Sequence, residues 1–313
     1  MTLRIDYGSG AFPPGCMVKS GTGTLKTSWS KLLWAAITVG KPNKWYILEH
    51  GLVSVFHTVS RLCHIRMALV RGFDGYLWRR PTLKLMDPDG KRMVSHDLGI
   101  TLCKLFASER LCTPWLLNLN VFRPNLNPQY KGSRRPDFVG KERIDRRSCV
   151  VRPIWHVFES KGRSDAPSPK EKEKAKEQAS SLVFVNHDPC VLHVASFAYF
   201  KSEKLYFHWF DPEPDGEDFI ELPDPDLEWQ HYYGPALQLA RDTDAISLIL
   251  DIKVKIHPKI RSLLDEGRWK RAHEEAEERH GIFLEEGYQE DGLRVIPGPS
   301  WNDQGDEVVD RPE

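Results

Sequence analysis

The chain has no long apolar run. Its most apolar stretch, Leu32 to Val39, is far short of the roughly 20 residues a bilayer-crossing helix needs, so a membrane protein is excluded at this level. Met1 to Gly10 lacks the apolar core of a signal peptide, and the expected location is the cytoplasm. The six cysteines (Cys16, Cys63, Cys103, Cys112, Cys149 and Cys190) contain no C-x-x-C pair. That argues against both a disulfide framework and a structural zinc site. His187, Cys190 and His193 lie close in sequence, but on a strand Cys190 and His193 face opposite sides. Gly15 to Thr27 is rich in glycine yet lacks G-x-x-x-x-G-K-[ST], and no G-x-S-x-G elbow occurs, so a nucleotide loop and serine hydrolase chemistry have no support. There is no internal repeat.

The chain also lacks net charge: 44 Lys and Arg balance 44 Asp and Glu over 313 residues. The balance hides an asymmetry. Residues 1–163 carry 27 basic and 11 acidic side chains, leaving 17 basic and 33 acidic for the rest. Lys131 to Arg163 is the most basic stretch, and Asp211 to Glu228 holds nine acidic residues and no basic one. Such a split suggests one half that binds a polyanion and another that avoids polyanions or shields the first. Hydrophobic residues at 40% and aromatics at 11% suffice for a core, and the length suggests about two domains or one with additions.

Along the chain, the first twenty-five residues read as loop with one short strand. Thr27 to Val39 and Glu49 to Val70 read as helices, the second from the spacing of Leu52, Val55, Phe56, Val59, Leu62 and Cys63. Pro88-Asp89-Gly90, between Leu83 to Met86 and Met93-Val94, reads as the turn of a small hairpin. A boundary near residue 95 follows, with Asp97 as the cap of a helix ending near Leu111. Trp115 to Phe122, Arg135 to Gly140 and Pro153 to Lys161 read as strands. Ser168-Pro169 opens a helix to about Leu182, and Cys190 to Phe200 and Leu205 to Phe210 are further strands. After the acidic loop, Leu227 to Arg241, Ile246 to Ile256 and Lys259 to His280 read mainly as helix, and the last twenty or so residues as disordered. The expected organisation is a mainly helical region 1–95, an α/β core 96–211 and an acidic, mainly helical region 212–313.

The chemistry concentrates in Arg134-Arg135-Pro136-Asp137-Phe138-Val139-Gly140 and Ile154 to Arg163, which contains Glu159-Ser160-Lys161. Alternate strand residues share a face, so Glu159 and Lys161 point the same way, and a hairpin pairing the two strands brings Asp137 beside Glu159. Two carboxylates can hold Mg²⁺ with positions open for phosphate oxygens, and a lysine beside them can orient a water and stabilise charge on the phosphate.

Pro136-Asp137 followed by Glu159-Ser160-Lys161 at the end of an apolar strand resembles the PD-(D/E)XK nuclease superfamily, over about residues 96–211. The resemblance implies a restriction-endonuclease-like mixed sheet flanked by helices, with helical additions at both ends. It implies Mg²⁺- or Mn²⁺-dependent cleavage, with Asp137 and Glu159 as metal ligands and Lys161 assisting the attacking water. Many members carry an acidic residue on the helix before the first core strand, a place Glu109 takes here, as a further catalytic and metal-binding candidate. Many also carry a glutamine or lysine on the helix after the third strand, where Gln178 falls in line with Ala175, Ala179 and Leu182. DNA is the favoured substrate, with RNA left open, and defence against phage or foreign DNA is the role such a resemblance implies. Lys131, Arg134, Arg135, Lys141, Arg143, Arg146, Arg147, Arg152 and Arg163 would flank the site and neutralise phosphates. The alternative is a non-catalytic nucleic-acid-binding or assembly subunit using the core as a scaffold. The acidic C-terminal region is a candidate surface for a partner subunit or a second copy, or a cover for the basic groove.

Overall fold

The structure is a computed structural model that describes residues 1–14, 16–40, 53–122, 135–143, 154–222, 225–241 and 243–302. Leu3 and Ile5 alternate with polar residues along the first strand, β1 (Leu3–Gly10), and β2 (Gly21–Thr27) folds back on it with Leu3 opposite Thr27. The stretch expected to be mostly loop is therefore a hairpin. It is held by a partner far along the chain, Lys204–Phe210, which runs parallel to β1 with Asp6 beside Tyr206.

Ser28 caps α1 (Trp29–Thr38), whose residues from Leu32 to Thr38 are all buried, and α2 (Val53–Ala68) follows. β3 (Leu69–Arg71) and β4 (Leu77–Arg79) form a short hairpin, followed by α3 (Pro81–Leu85) and α4 (Pro88–Leu111). The hairpin expected around residues 83–94 is absent because Pro88 occupies the first turn of a helix, where its missing N–H costs nothing. Asp87 caps that helix by accepting from the Asp89 and Gly90 amides at 2.9 Å each. Asp97 is thus not a cap but a buried mid-helix residue, and α4 runs unbroken through residue 95.

β5 (Trp115–Asn118), the short α5 (Leu119–Phe122), β6 (Phe138–Lys141) and β7 (Trp155–Gly162) come next. The three strands form an antiparallel meander with Leu117 opposite Val139 and Val139 opposite Val157. A capping box at Ser168 and Glu171 opens α6 (Pro169–Ala179). After β8 (Leu182–Val185), β9 (Asp188–Lys201) returns parallel to β7, and β10 (Lys204–Phe210) turns back antiparallel to β9. The parallel β7–β9 pair requires a crossover, which α6 supplies. The main strand order is β2-β1-β10-β9-β7-β6-β5, a large mixed sheet with helices on both faces.

α4 and α6 take opposite faces of β7. α4 approaches so closely that a Cβ on Gly162 would lie 1.5 Å from the Ser95 carbonyl oxygen, so only glycine fits there. α6 instead packs Ala175 and Ala179 against Ala195 and Phe197. Glu159 lies beside Ala195 and Lys161 beside Phe197 in the parallel register, which places both carbons of the acid-x-lysine motif on the α6 side.

The acidic C-terminal region contains β11 (Asp218–Ile220), α7 (Pro225–Arg241), α8 (Thr243–Leu250), β12 (Ile252–Ile256), α9 (Pro258–Asp265), α10 (Trp269–Glu285) and β13 (Leu293–Pro297). Residues 246–256 divide into the end of a helix and a strand, and β12 pairs with β13, Val254 opposite Val295. The last twenty or so residues, expected to be disordered, include most of ordered β13 and the buried Trp301, which donates from Nε1 to the Leu250 carbonyl at 2.7 Å. Residues 303–313 lie outside the described residues. Tyr232, Phe283 and Trp301 share one apolar cluster with Trp34 and Phe106, so this region is built into the core. No helix among the described residues is long and apolar enough to cross a membrane.

Candidate active site

The β6–β7 register, with Phe138 opposite Phe158, sets Asp137 next to Glu159 at the end of the pair. The Asp137 amide donates to the Phe158 carbonyl at 3.0 Å, and the Ser160 amide donates to Asp137 Oδ2 at 3.0 Å, so backbone bonds on both sides fix this carboxylate. Glu159 is fully buried. Lys161 Nζ forms an ion pair with Glu159 Oε1, yet neither Glu159 oxygen receives a well-formed hydrogen bond from a described donor. Burial pushes the Glu159 carboxyl up to about 8, the Asp137 charge adds to the rise, and the Lys161 ammonium opposes it. Asp137 is also raised by burial, against the pull of Lys161 and the Ser160 amide.

Gln178 reaches the same place from α6. Its Nε2 donates to the Arg135 carbonyl at 3.4 Å, two residues before Asp137, while its Oε1 is buried without a described hydrogen-bond partner. Buried acceptors are nearly always satisfied in folded proteins, so unsatisfied ones grouped at a strand end mark a place prepared for something else. Two adjacent carboxylates and an ammonium form a donor set of the kind a hard divalent cation and a phosphate can share. Among the described residues, no group of three or more His, Cys, Asp or Glu is arranged to hold a metal ion. A cation here would thus take two protein carboxylates and complete its shell with water or substrate oxygen.

The other expected site residues divide. Glu109 does not join the cluster: its Oε1 pairs with Lys31 Nζ at 2.5 Å. Gly99 is the α4 residue that meets the backbone of Lys161 and Gly162, and Glu109 lies about 15 Å further along the helix at 1.5 Å per residue. Arg143 pairs with Glu290, and Lys141 with Glu277 at 3.0 Å, so these cations face the acidic region instead of a free groove. Arg163 pairs with Glu171 in the first turn of α6 at 2.9 Å. Arg135 stands beside the site through the contact of its carbonyl with Gln178. Lys131, Arg134, Arg146, Arg147 and Arg152 lie outside the described residues.

One part of the site has no counterpart in the sequence reading. A cavity of about 320 Å³ lies between α2 and α4 and reaches Asp137, with His57, His64, His96, Asn118 and Asn120 among its lining residues. Its floor is a hydrogen-bonded triad of Arg61, His64 and Asp97. Asp97 accepts from Arg61 Nε at 3.2 Å and bonds His64 Nδ1 at 2.6 Å, while Arg61 also donates to the Ala36 and Gly40 carbonyls at 2.8 and 3.0 Å. Burial works against the Asp97 charge, but the His64 bond and the Arg61 charge outweigh it and hold the carboxyl below its ordinary value. The signal was in the spacing: His57, Arg61 and His64 recur at i, i+4 and i+7, a polar stripe on a helix whose other positions include buried Val55, Leu62 and Ile65.

No family model, curated protein or solved structure matches this chain.

Proposed function

We propose that the protein is a divalent-metal-dependent nuclease of the PD-(D/E)XK type, with a restriction-endonuclease-like core, hydrolysing phosphodiester bonds of DNA. The observation that carries this reading is the buried Glu159 carboxylate, set between Asp137 and Lys161 and left without a well-formed hydrogen bond from a described donor. A structural carboxylate at such depth would be met by several donors. The succession of helix, antiparallel meander, crossover helix and parallel strand supports the same reading, because it is the arrangement the resemblance implies.

The residues fit a metal. Asp137 and Glu159 would hold it, since a cation between them would offset the burial that raises both carboxyls and the Asp137 charge that further raises Glu159. When bound, Mg²⁺ or Mn²⁺ supplies charge neutralisation at the phosphate and an acidified water. Lys161 Nζ, with a partly exposed side chain, hydrogen-bonds the attacking water and stabilises the negative charge that grows on the phosphoryl oxygens. Gln178 bridges α6 to the Arg135 carbonyl, and its buried Oε1, without a described hydrogen-bond partner, would accept from a water or substrate group brought into the site. A role in defence against foreign DNA rests on the resemblance alone.

The test is incubation of the full-length protein with plasmid, linear and single-stranded DNA, in Mg²⁺ or in chelator, beside Asp137→Ala and Lys161→Ala. Metal-dependent cutting lost in both variants is expected. Cutting that persists in Asp137→Ala overturns the assignment, and DNA binding without cutting by the wild type favours the scaffold alternative.

A further inference from the structure

We propose that the cavity between α2 and α4 receives one unpaired nucleotide of the strand being cut, so that the enzyme prefers single strands and duplexes carrying an unpaired nucleotide. This rests on the nuclease reading and names the substrate class of that site. Asp137 belongs to both the carboxylate cluster and the cavity wall, so an occupant of the cavity is adjacent to the reacting phosphodiester. A volume of about 320 Å³ is at the small end of ligand pockets. It is far too small for a double helix and suits a single nucleotide, which must then leave its stack to enter.

The wall chemistry fits a base. Met93 and Ile100 supply apolar surface, the Asn120 amide offers a paired donor and acceptor of the kind that reads a base edge, the Asn118 amide, its Oδ1 held by the Asn120 backbone N–H at 3.0 Å, adds a donor, and imidazole faces can stack. The floor is preorganised. Asp97 engages His64 Nδ1 and leaves Nε2 as the ring atom for a ligand, while Arg61, bonded to Asp97 and to two backbone carbonyls, keeps that carboxylate in place. A site whose polar groups are already locked loses little order on binding.

Met93 lines the cavity and is 58% exposed, so Met93→Trp fills its mouth without disturbing the core. In chelator, fluorescence anisotropy with a fluorescein-labelled single strand and with a fully paired hairpin compares the full-length wild type and Met93→Trp. The wild type should bind the single strand at least about tenfold more tightly than the hairpin, a preference that Met93→Trp loses. Equal binding of both probes by the wild type, or an undiminished preference in Met93→Trp, overturns the pocket. In Mg²⁺, the wild type should cut a duplex with one unpaired nucleotide at least about tenfold faster than a closed, fully paired circle. Equal rates overturn the pocket while leaving the nuclease reading intact. Preferential binding that Met93→Trp removes, with no metal-dependent cutting of any DNA, overturns the nuclease reading and leaves the pocket as a nucleotide site.

Discussion

Asp291 and Glu159 are each fully buried, and each has a lysine near it, Lys104 in one case and Lys161 in the other. Their surroundings differ completely. Asp291 accepts from Trp34 Nε1 at 2.7 Å, Tyr232 Oη at 2.8 Å and the Leu293 amide at 2.9 Å. Lys104 in turn donates to Tyr232 Oη at 3.0 Å and to the Pro114 carbonyl, with the Trp34 ring 4.7 Å from its ammonium. Every group in that network has a partner inside the protein, and the network ties α1, α4 and α7 to the turn before β13. Glu159 instead faces a lysine whose side chain is partly open to solvent and has no well-formed hydrogen bond from a described donor. The first arrangement is closed and serves the fold, whereas the second is held open by it at a cost in stability.

The largest effect should come from breaking the closed network. Burial pushes the Lys104 ammonium down to about 7, so below that pH Lys104→Met leaves Asp291 buried without its cation, and removing one partner of a buried charged pair costs about 3–5 kcal/mol. Chemical denaturation of full-length protein should show that loss, while cutting per folded molecule stays near wild type because Lys104 lies about 7.5 Å along α4 from Gly99 and donates to Tyr232 and Pro114 rather than to the site. A small stability loss would mean that Asp291 is neutral in the native state and that the donors alone suffice.

The open site should behave with the opposite sign. Glu159 has a folded-state pKa raised from its ordinary 4.5 to about 8, so between those values the native state binds more protons than the unfolded chain, and rising pH lowers stability. Glu159→Gln removes that penalty. In chelator it should be more stable than the wild type by a few kcal/mol at most above pH 8, with the advantage shrinking to nothing below about pH 4.5. Metal-dependent cutting should vanish in the same variant. Destabilisation at every pH would make Glu159 another Asp291 and remove the contrast.

Parts of this were legible in the sequence because they depend on local spacing. The alternation through Trp155 to Gly162 placed Glu159 and Lys161 on one face, and Ser168-Pro169 with Glu171 announced α6. The parts that were not legible depend on distant partners or on ambiguous local signals. β1 is a strand because β10 lies beside it, and nothing near residue 6 announces Tyr206. Pro88-Asp89-Gly90 fits a turn and a helix start equally well, and only the Asp87 cap decides. Reading α4 as starting at Asp97 rather than Pro88 also hid Asp97 as a floor residue and favoured Glu109. That acid sits on the correct helix, but near its far end, beside Lys31.

Gln178 should give a smaller effect than either carboxylate. Its side chain is half-buried and its one described hydrogen bond is long, so Gln178→Ala should cost about 1 kcal/mol or less in stability. Cutting should nevertheless fall by roughly tenfold through kcat, the scale of a single positioning hydrogen bond. A change in stability without a change in kcat would assign Gln178 to packing.

The smallest effect concerns the acidic region as a shield. Glu277 pairs with Lys141 and Glu290 with Arg143, so two cations of the basic hairpin are neutralised by residues far along the chain. These pairs are mostly buried, but glutamine keeps the shape and an oxygen to accept the hydrogen bond, so Glu277→Gln with Glu290→Gln should cost about 0.5–1.5 kcal/mol each. Freeing two cations should raise DNA affinity a few-fold at low salt and steepen the dependence of log affinity on log salt by up to about two phosphate contacts. Unchanged affinity and slope would place Lys141 and Arg143 away from the path of the DNA. The positive charge that grips the substrate would then have to come from elsewhere on the hairpin, and the pairing with the acidic region would be a device of the fold, like the Lys104 network, and not a screen over the site.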